Sequence, residues 1–503
     1  MTTVGLLNGT QNGETRNDMT KFWESHSHNA SIEEMMLDTN ASLISQEELP
    51  EVMALLPELK GKNVLELGGG IGRFTSQIAT QSSHVTTVDF MESFIQKNRD
   101  LNKDHNNIEF ITADVTKLEM EKGSFDVIFS NWLLMYLSDE EVRQLAMKML
   151  TWLKEGGFLF FRESCLHQSG NAKRQFNPSK YRSPELYNNL FQSVSVPGTG
   201  KMPWGFDVCF SQSLQSYIKL KNNRNQICWL MEKTPRSDEG NHGFVTFQQF
   251  LDNKQYSKRG ILRYEKIFGA GYVSTGGPQT TEEFVKMLDL QPGQKVLDVG
   301  CGIGGGDFYM AKDYKVDVLG VDLSGNMIEI AWERSQDEIN LPVQFEVADI
   351  TKREYPLESF DVVYSRDTIL HIADKLTLFQ RFLTWLKPGG KLLISDYCCG
   401  EPPHSEEFKA YVKQRGYTLY TPNEYGKLIE EAGFIKVKAE DRSQQFINVL
   451  NGEKNKINSN KQEFLKDFTD EDFKYLEDGW NSKLKRVGNK DQAWGLFYAE
   501  KQN

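Results

Sequence analysis

The chain repeats itself once, and no other feature constrains its fold as strongly. VLELGGGIGRF (64–74) recurs as VLDVGCGIGGGDF (296–308), so that Asp298 stands 232 positions after Glu66. The copies stay in step. VTTVDF ending at Phe90 matches LGVDL ending at Leu323, ITADV (111–115) matches EVADI (346–350), GSFDVIFS (123–130) matches ESFDVVYS (358–365), and TWLKEGGFLFF matches TWLKPGGKLLI. Units this long are too large for solenoid repeats and read as two homologous domains, which 503 residues easily accommodate.

Within each copy, short apolar runs alternate with amphipathic stretches, the pattern of β-α-β units with a parallel sheet. The expected fold class is therefore α/β, two tandem Rossmann-like domains, each a mostly parallel sheet flanked by helices. Residues 1–25, rich in Thr, Asn and Gly, read as a polar tail. The first domain spans 26–231, and EKTPRSDEGNHG (232–243) is expected to be a linker with the boundary near Asp238. The second domain spans 244–503. A net charge of −12 disfavours a nucleic-acid partner. No apolar run reaches the ~18 to 20 residues of a membrane span, and the N-terminus lacks an export signal. Six cysteines without C-x-x-C spacing point to a reducing, cytoplasmic setting and to no metal.

A glycine-rich turn after a first strand lets backbone approach a ligand closely. Gly300, Gly302 and Gly305 satisfy G-x-G-x-x-G, whereas the first copy has Arg73 at the third glycine, so a pyrophosphate reader stays an alternative. Three acids favour another ligand: one two residues before the loop (Glu66, Asp298), one ending strand two (Asp89, Asp322), and one after strand three (Asp114, Asp349). The strand-two acid can hold ribose hydroxyls, and the Ala-Asp step can meet an adenine amino group. A lone strand-end Asp is as readily a turn or cap residue; all three in both copies are not.

These features together resemble the class I S-adenosylmethionine-dependent methyltransferases. FSNWLLMYLS, FFRESCLHQSG, ILRYEKIFGAGYVSTGG, YSRDTILHI, ISDYC and YVKQRGYTL extend the match. From about residue 30 to the C-terminus the chain resembles the two-domain phosphoethanolamine N-methyltransferases found in plants. The resemblance implies stepwise methylation of phosphoethanolamine, through its mono- and dimethyl forms, to phosphocholine for phospholipid synthesis, with S-adenosyl-L-methionine as cofactor. It implies the first step in the N-terminal domain and the later ones in the C-terminal domain.

Methyl transfer to an amine requires a neutral nitrogen, and an alkylammonium resembles Lys with a pKa of about 10, so a proton acceptor is needed. His371, after the SRD segment, is a candidate; an isolated His is more often a core residue, but in the resembling family this position pairs with Tyr256 as a catalytic dyad. Tyr411 and Arg415, four apart, share one helix face, and with Tyr417 they suit a phosphate. The resemblance adds Gln255, Tyr256, Tyr264, Tyr397 and Lys483 around the substrate. Around the second cofactor it implies Tyr264, Ser274, Gly300, Asp322, Asp349, Ile350 and Arg366. In the first domain it implies Gly68, Arg73, Asp89, Asp114, Val115 and Asn131 for cofactor, and Ser164, Ser169, Gly170, Arg174 and Tyr181 for phosphate. Alignment sets Asn131 opposite Arg366 and Tyr136 opposite His371, so the dyad does not carry over and the first domain's proton acceptor stays unassigned. Two alternatives remain: one domain serving as a regulatory binding module, and a sterol or quinone C-methyltransferase, which would leave the Arg/Tyr/Lys set idle.

Overall fold

A computed structural model describes residues 19–26, 31–172, 177–198, 202–236, 243–338 and 340–503. The chain divides between Thr246 and Phe247 into two compact units. In the first unit the strands are β1 (Asn63–Leu67), β2 (His84–Asp89), β3 (Ile108–Thr112), β4 (Phe125–Asn131), β5 (Leu153–Ser164), β6 (Trp204–Ser213) and β7 (Gln226–Pro235). They lie in the order β3-β2-β1-β4-β5-β7-β6. The first five are parallel, and β7 pairs antiparallel with both β5 and β6.

The second unit repeats this with β8 (Lys295–Val299), β9 (Asp317–Asp322), β10 (Val343–Ala348), β11 (Phe360–Arg366), β12 (Leu386–Cys399), β13 (Ile435–Asp441) and β14 (Gln492–Glu500). Its order, β10-β9-β8-β11-β12-β14-β13, is the same topology strand for strand. In both sheets the connection reverses direction between the first and fourth strands. Their carboxyl ends open a crevice there, where α/β sheets bind ligands.

The central strands are apolar because helices cover both faces. Val64, Leu65 and Leu67 in β1, like Val296, Leu297 and Val299 in β8, are almost wholly buried, each contributing about 1.5 to 3 kcal/mol by leaving water. Helix Asp139–Trp152 starts at a capping box in which Ser138 and Glu141 exchange hydrogen bonds. It runs directly into β5, and the buried Trp152 and its counterpart Trp385 fix this corner in both units. The WLKxGG segment lies at the start of β5 and of β12 rather than in a separate turn. It loops out between the paired residues, Phe125 facing Leu153 and Val127 facing Phe158.

Two expected boundaries move. Residues 19–25, assigned to the polar tail, are helical; Met19, Phe22 and Trp23 are buried against Leu37, Ile71 and Phe94, and their i, i+3, i+4 spacing is the apolar face of a helix turn. Residues 1–18 lie outside the described residues. Of the expected linker, Glu232–Pro235 belong to β7, whose pairing with β5 and β6 outweighs their polar composition; residues 237–242 are outside the described set.

Candidate active sites

Both glycine loops are braced by the acid that follows them. Gly68 and Gly69 donate from their N–H groups to Val88 O (2.8 and 3.1 Å). Gly70 N donates to Asp89 Oδ2 (3.0 Å), while Asp89 Oδ1 accepts from Met91 N (2.9 Å). In the second unit Gly300 and Cys301 donate to Val321 O (2.7 and 3.1 Å). Gly302 N donates to Asp322 Oδ2 (3.1 Å) and Ser324 N to Asp322 Oδ1 (2.8 Å). Gly300 has φ +81°, and a β-carbon there would strike Thr368, so glycine is required by both conformation and space. Burial raises both Asp89 and Asp322 to about 6 although backbone N–H groups oppose it; each stays anionic at neutral pH with lone pairs left for hydroxyls. Asp114 and Asp349 each close a turn, accepting from the N–H and hydroxyl of Thr116 or Thr351. Glu66 accepts from Thr75 Oγ1 (2.5 Å), and burial raises it to about 7.

In the first unit a cavity of about 510 Å³ brings Gly68, Arg73, Asp89, Asp114, Val115 and Asn131 together with Ser164, Ser169 and Tyr181. Gly170 is buried beside this wall, its carbonyl accepting from Gln168 Nε2 (3.3 Å); Arg174 lies outside the described residues. Arg73 pairs with the buried Glu48, and burial lowers the Arg73 guanidinium to about 10. The opposite wall is apolar, with Trp23 set edge-on to Phe94 (5.9 Å) and Tyr136 (5.6 Å). Behind Ser169, Lys221 pairs with the buried Asp38 and donates to the Ser169 carbonyl (2.6 Å).

The second unit encloses a cavity of about 380 Å³ lined by Gln255, Tyr256, Tyr264, Tyr397, Tyr411, Arg415, Tyr417 and Lys483. Lys483 Nζ donates to Tyr397 OH (3.3 Å) and lies 4.2 Å from the centre of the Trp480 ring. Burial lowers the Lys483 ammonium to about 8, whereas its tyrosine neighbours raise Arg415 despite burial. Gly300, Asp322, Asp349 and Ile350 do not line this cavity; Gly300 follows β8, Asp322 ends β9, and Asp349 and Ile350 follow β10. Ser274 opens the turn into helix Gly277–Lys286, its carbonyl accepting from Gly277 N (3.0 Å).

Two expectations meet a different geometry. His371 does not face the cavity: it sits edge-on behind Tyr417 (5.0 Å), both ring nitrogens lack a hydrogen-bond partner, and no Tyr256–His371 bond forms. Burial, with Lys375 and Arg415 nearby, lowers its pKa to about 3, so the ring is neutral. Arg366, expected at the cofactor, turns its guanidinium inward to Thr281 Oγ1 (3.0 Å), Thr275 O (2.7 Å), Thr280 Oγ1 (2.9 Å) and Ser395 Oγ (2.6 Å). Four of the five N–H groups of that fork are thus bonded within the protein.

The sequence reading missed Asp367, which lines the second cavity in a left-handed conformation (φ +50°) and accepts from Thr275 N (2.9 Å) and Trp494 Nε1 (2.9 Å). Its counterpart Trp132 keeps the same backbone (φ +53°) but stacks on Arg162 (3.6 Å). Arg162 occupies the β5 register position that Ser395 holds on β12, so the buried arginine has crossed from the fourth strand to the fifth. Tyr475 and Arg486 also line the second cavity. The SRD and SNW triplets were the available signal for Asp367 and Trp132; nothing in the sequence marked Tyr475.

A mostly parallel sheet with a braced glycine loop after its first strand and an acid closing its second, built twice, defines a class I S-adenosylmethionine-dependent methyltransferase. Family models described as a methyltransferase domain match residues 64–157 and 290–433. Over 97% of this chain it is 52% identical to phosphoethanolamine N-methyltransferase 3 of Arabidopsis thaliana, covering 99% of that protein. It is equally 52% identical to phosphoethanolamine N-methyltransferase 1 of Triticum aestivum, covering 97% of this chain and 98% of that one. The solved structure of Haemonchus contortus phosphoethanolamine N-methyltransferase 2 with phosphomonomethylethanolamine and S-adenosylhomocysteine matches with TM-score 0.74 and 26% identity, over 92% of this chain and 99% of that one. The chain belongs to the phosphoethanolamine N-methyltransferase family.

Proposed function

We propose that the chain methylates the amine of phosphoethanolamine three times to give phosphocholine, the first unit making the first transfer and the second unit the later two. The observation that carries this reading is the second cavity, where Arg415, Lys483 and six tyrosines converge beside a carboxylate, Asp367. A fixed guanidinium, an ammonium and phenol hydroxyls suit a phosphate; an acid suits the cationic amine of a zwitterionic substrate.

Bound against the glycine loop, S-adenosylmethionine supplies an electrophilic methyl group. The protein's own work is to align a neutral nitrogen with it. Arg415, Lys483, Tyr397, Tyr411 and Tyr417 hold the phosphate, so the amine end reaches a fixed depth. Tyr256 faces the same cavity, and burial together with Asp322 raises its hydroxyl. It stays a neutral phenol that cannot keep an added proton, so its oxygen accepts the proton of the ammonium as its own hydroxyl proton passes to solvent water. The nitrogen lone pair is left free for the methyl group, and the net proton is in water. His371, neutral behind Tyr417, adds no further charge beside a cavity that already holds Arg415 and Lys483. In the first unit Ser164, Ser169, Gly170, Arg174 and Tyr181 are the proposed phosphate contacts, with Lys221 behind them. Gly68, Asp89, Asp114, Val115 and Asn131, and in the second unit Gly300, Asp322, Asp349 and Ile350, are the proposed cofactor contacts. The first site lacks a carboxylate matching Asp367, which accords with a different amine at each site.

The thiols of Cys165, Cys301, Cys398 and Cys399, which lie outside any disulfide, support a reducing compartment such as the cytoplasm, and among the described residues no helix is long and apolar enough to cross a membrane. The test is product analysis of the full chain carrying Asp89→Ala or Asp322→Ala. With phosphoethanolamine, Asp322→Ala should stop at the monomethyl product; with phosphomonomethylethanolamine, Asp89→Ala should proceed to phosphocholine. Trimethylation by the Asp322→Ala chain would overturn the division.

A further inference from the structure

Gln255 and Tyr256 lie at the end of a single π-helical turn, Leu251–Gln255, and one carboxylate ties that turn down. Asp252 accepts hydrogen bonds from Ser324 Oγ (2.6 Å), Gly325 N (3.2 Å) and Asn326 N (3.4 Å). These groups open helix Gly325–Ser335, whose first N–H groups have no partner within the helix and whose dipole favours an anion. The contact is reciprocal, since Asn326 Nδ2 donates to the carbonyls of Asp252 (3.0 Å) and Tyr256 (2.9 Å).

This helix start is also where the cofactor acid is anchored. Ser324 N donates to Asp322 Oδ1, and the other Asp322 oxygen braces Gly302. The run from Asp322 to Asn326 therefore holds the glycine loop on one side and the Tyr256 backbone on the other. A further tie, Gln255 Nε2 to Arg415 O (3.3 Å), reaches the helix that carries the phosphate arginine. The helix does not need Asp252 as its cap, because Ser324 Oγ already accepts from Met327 N (3.3 Å). Burial raises the Asp252 carboxyl to about 6, an unfavourable placement that its convergent hydrogen bonds offset.

We propose that Asp252 and Asn326 are positioning residues of the second active site, joining the Tyr256 turn to the cofactor-binding strand end so that the phenol stands at the reacting nitrogen. The proposal rests on the reading of Tyr256 as the residue that handles the amine proton, and it makes Tyr256 placement depend on the same five residues that present the cofactor acid.

The test uses the full-length chain with Asp89→Ala, so that only the second unit turns over, and phosphomonomethylethanolamine as substrate. Asp252→Asn places an amide donor among three donors. Asn326→Ala keeps the carboxylate and its three bonds but releases the Tyr256 carbonyl. Each should lower kcat roughly ten- to a hundredfold, the scale of a misplacement near 1 Å, with the phosphobase KM within about threefold. Asp252→Glu should recover part of the loss. Combined with Tyr256→Phe, neither variant should lower kcat further, because the group it positions is gone. If both variants keep normal kcat while Tyr256→Phe loses it, the proposal is wrong and the reading of Tyr256 stands; if Tyr256→Phe keeps normal kcat, that reading fails. Losses that multiply with Tyr256→Phe would assign Asp252 to folding alone and refute the proposal. Should Asp252→Asn melt below the assay temperature, the Asn326→Ala arm decides.

Discussion

Replacing Lys483 with methionine isolates the charge of the proposed phosphate site. Methionine keeps most of the apolar stem over Trp480 and Phe268 and removes only the ammonium that sits 3.3 Å from Tyr397 OH. A hydrogen bond to a charged group contributes about 1.5 to 3 kcal/mol net, which corresponds to a roughly 10- to 150-fold rise in phosphobase KM at about 1.4 kcal/mol per decade. The phosphate is held equally in the ground and transition states, so kcat should change by less than about threefold. The pH dependence follows from the same group. Burial lowers Lys483 to about 8, so in the free enzyme the ammonium is present below about pH 8 and lost above it. A phosphomonoester loses its second proton near about pH 6. Phosphobase affinity should therefore rise through about pH 6 and fall above about pH 8, and Lys483→Met should abolish only the upper limb. The assay is steady-state kinetics on phosphomonomethylethanolamine in the Asp89→Ala chain from pH 5.5 to 9.5. A KM within threefold of the parent, or a loss confined to kcat, would refute the assignment.

Calorimetry should find two S-adenosylhomocysteine sites in the intact chain, one lost with Asp89→Ala and the other with Asp322→Ala; a single site in the intact chain would contradict two working units. Tyr256→Phe should lower kcat on the monomethyl substrate by about 10² or more with KM nearly unchanged. His371→Ala, which empties a buried ring position behind Tyr417, should instead lower the melting temperature by several degrees and shift KM as Tyr417 relaxes; a kcat loss as large as that of Tyr256→Phe at unchanged stability would restore the dyad. Trp23→Ala removes three edge-on aromatic contacts, to Phe22, Phe94 and Tyr136, of about 0.5 to 1.5 kcal/mol each and should weaken cofactor binding in the first unit about tenfold by titration, leaving the second unit untouched.

How much was legible depended on whether neighbouring residues in the chain do the work. The repeat, the glycine loops and the three acids could be read because a turn and the acid that follows a strand are local: Gly302 and Asp322 are only 20 positions apart and bond directly. The same locality placed Tyr411 and Arg415 on one cavity wall, one helix turn apart. By contrast, composition mis-set the polar tail, because the value of Met19, Phe22 and Trp23 lies in the surface of Leu37, Ile71 and Phe94 that they cover. Likewise Glu232–Pro235 carry polar residues yet are strand, since their partners are β5 and β6.

What the sequence determined by itself was two homologous α/β units, a cofactor loop in each, and the residue types of a phosphate pocket. Tertiary structure alone decided which way side chains face. It turned Arg366 into the threonines of helix Gly277–Lys286, set His371 behind Tyr417, and placed Asp367 on the cavity wall. It also brought Asp252 to the start of a helix 72 positions onward. The physical reason is that hydrogen-bond directions, burial and the resulting pKa shifts are properties of neighbours in space, and those neighbours come from strands and helices far apart in the chain.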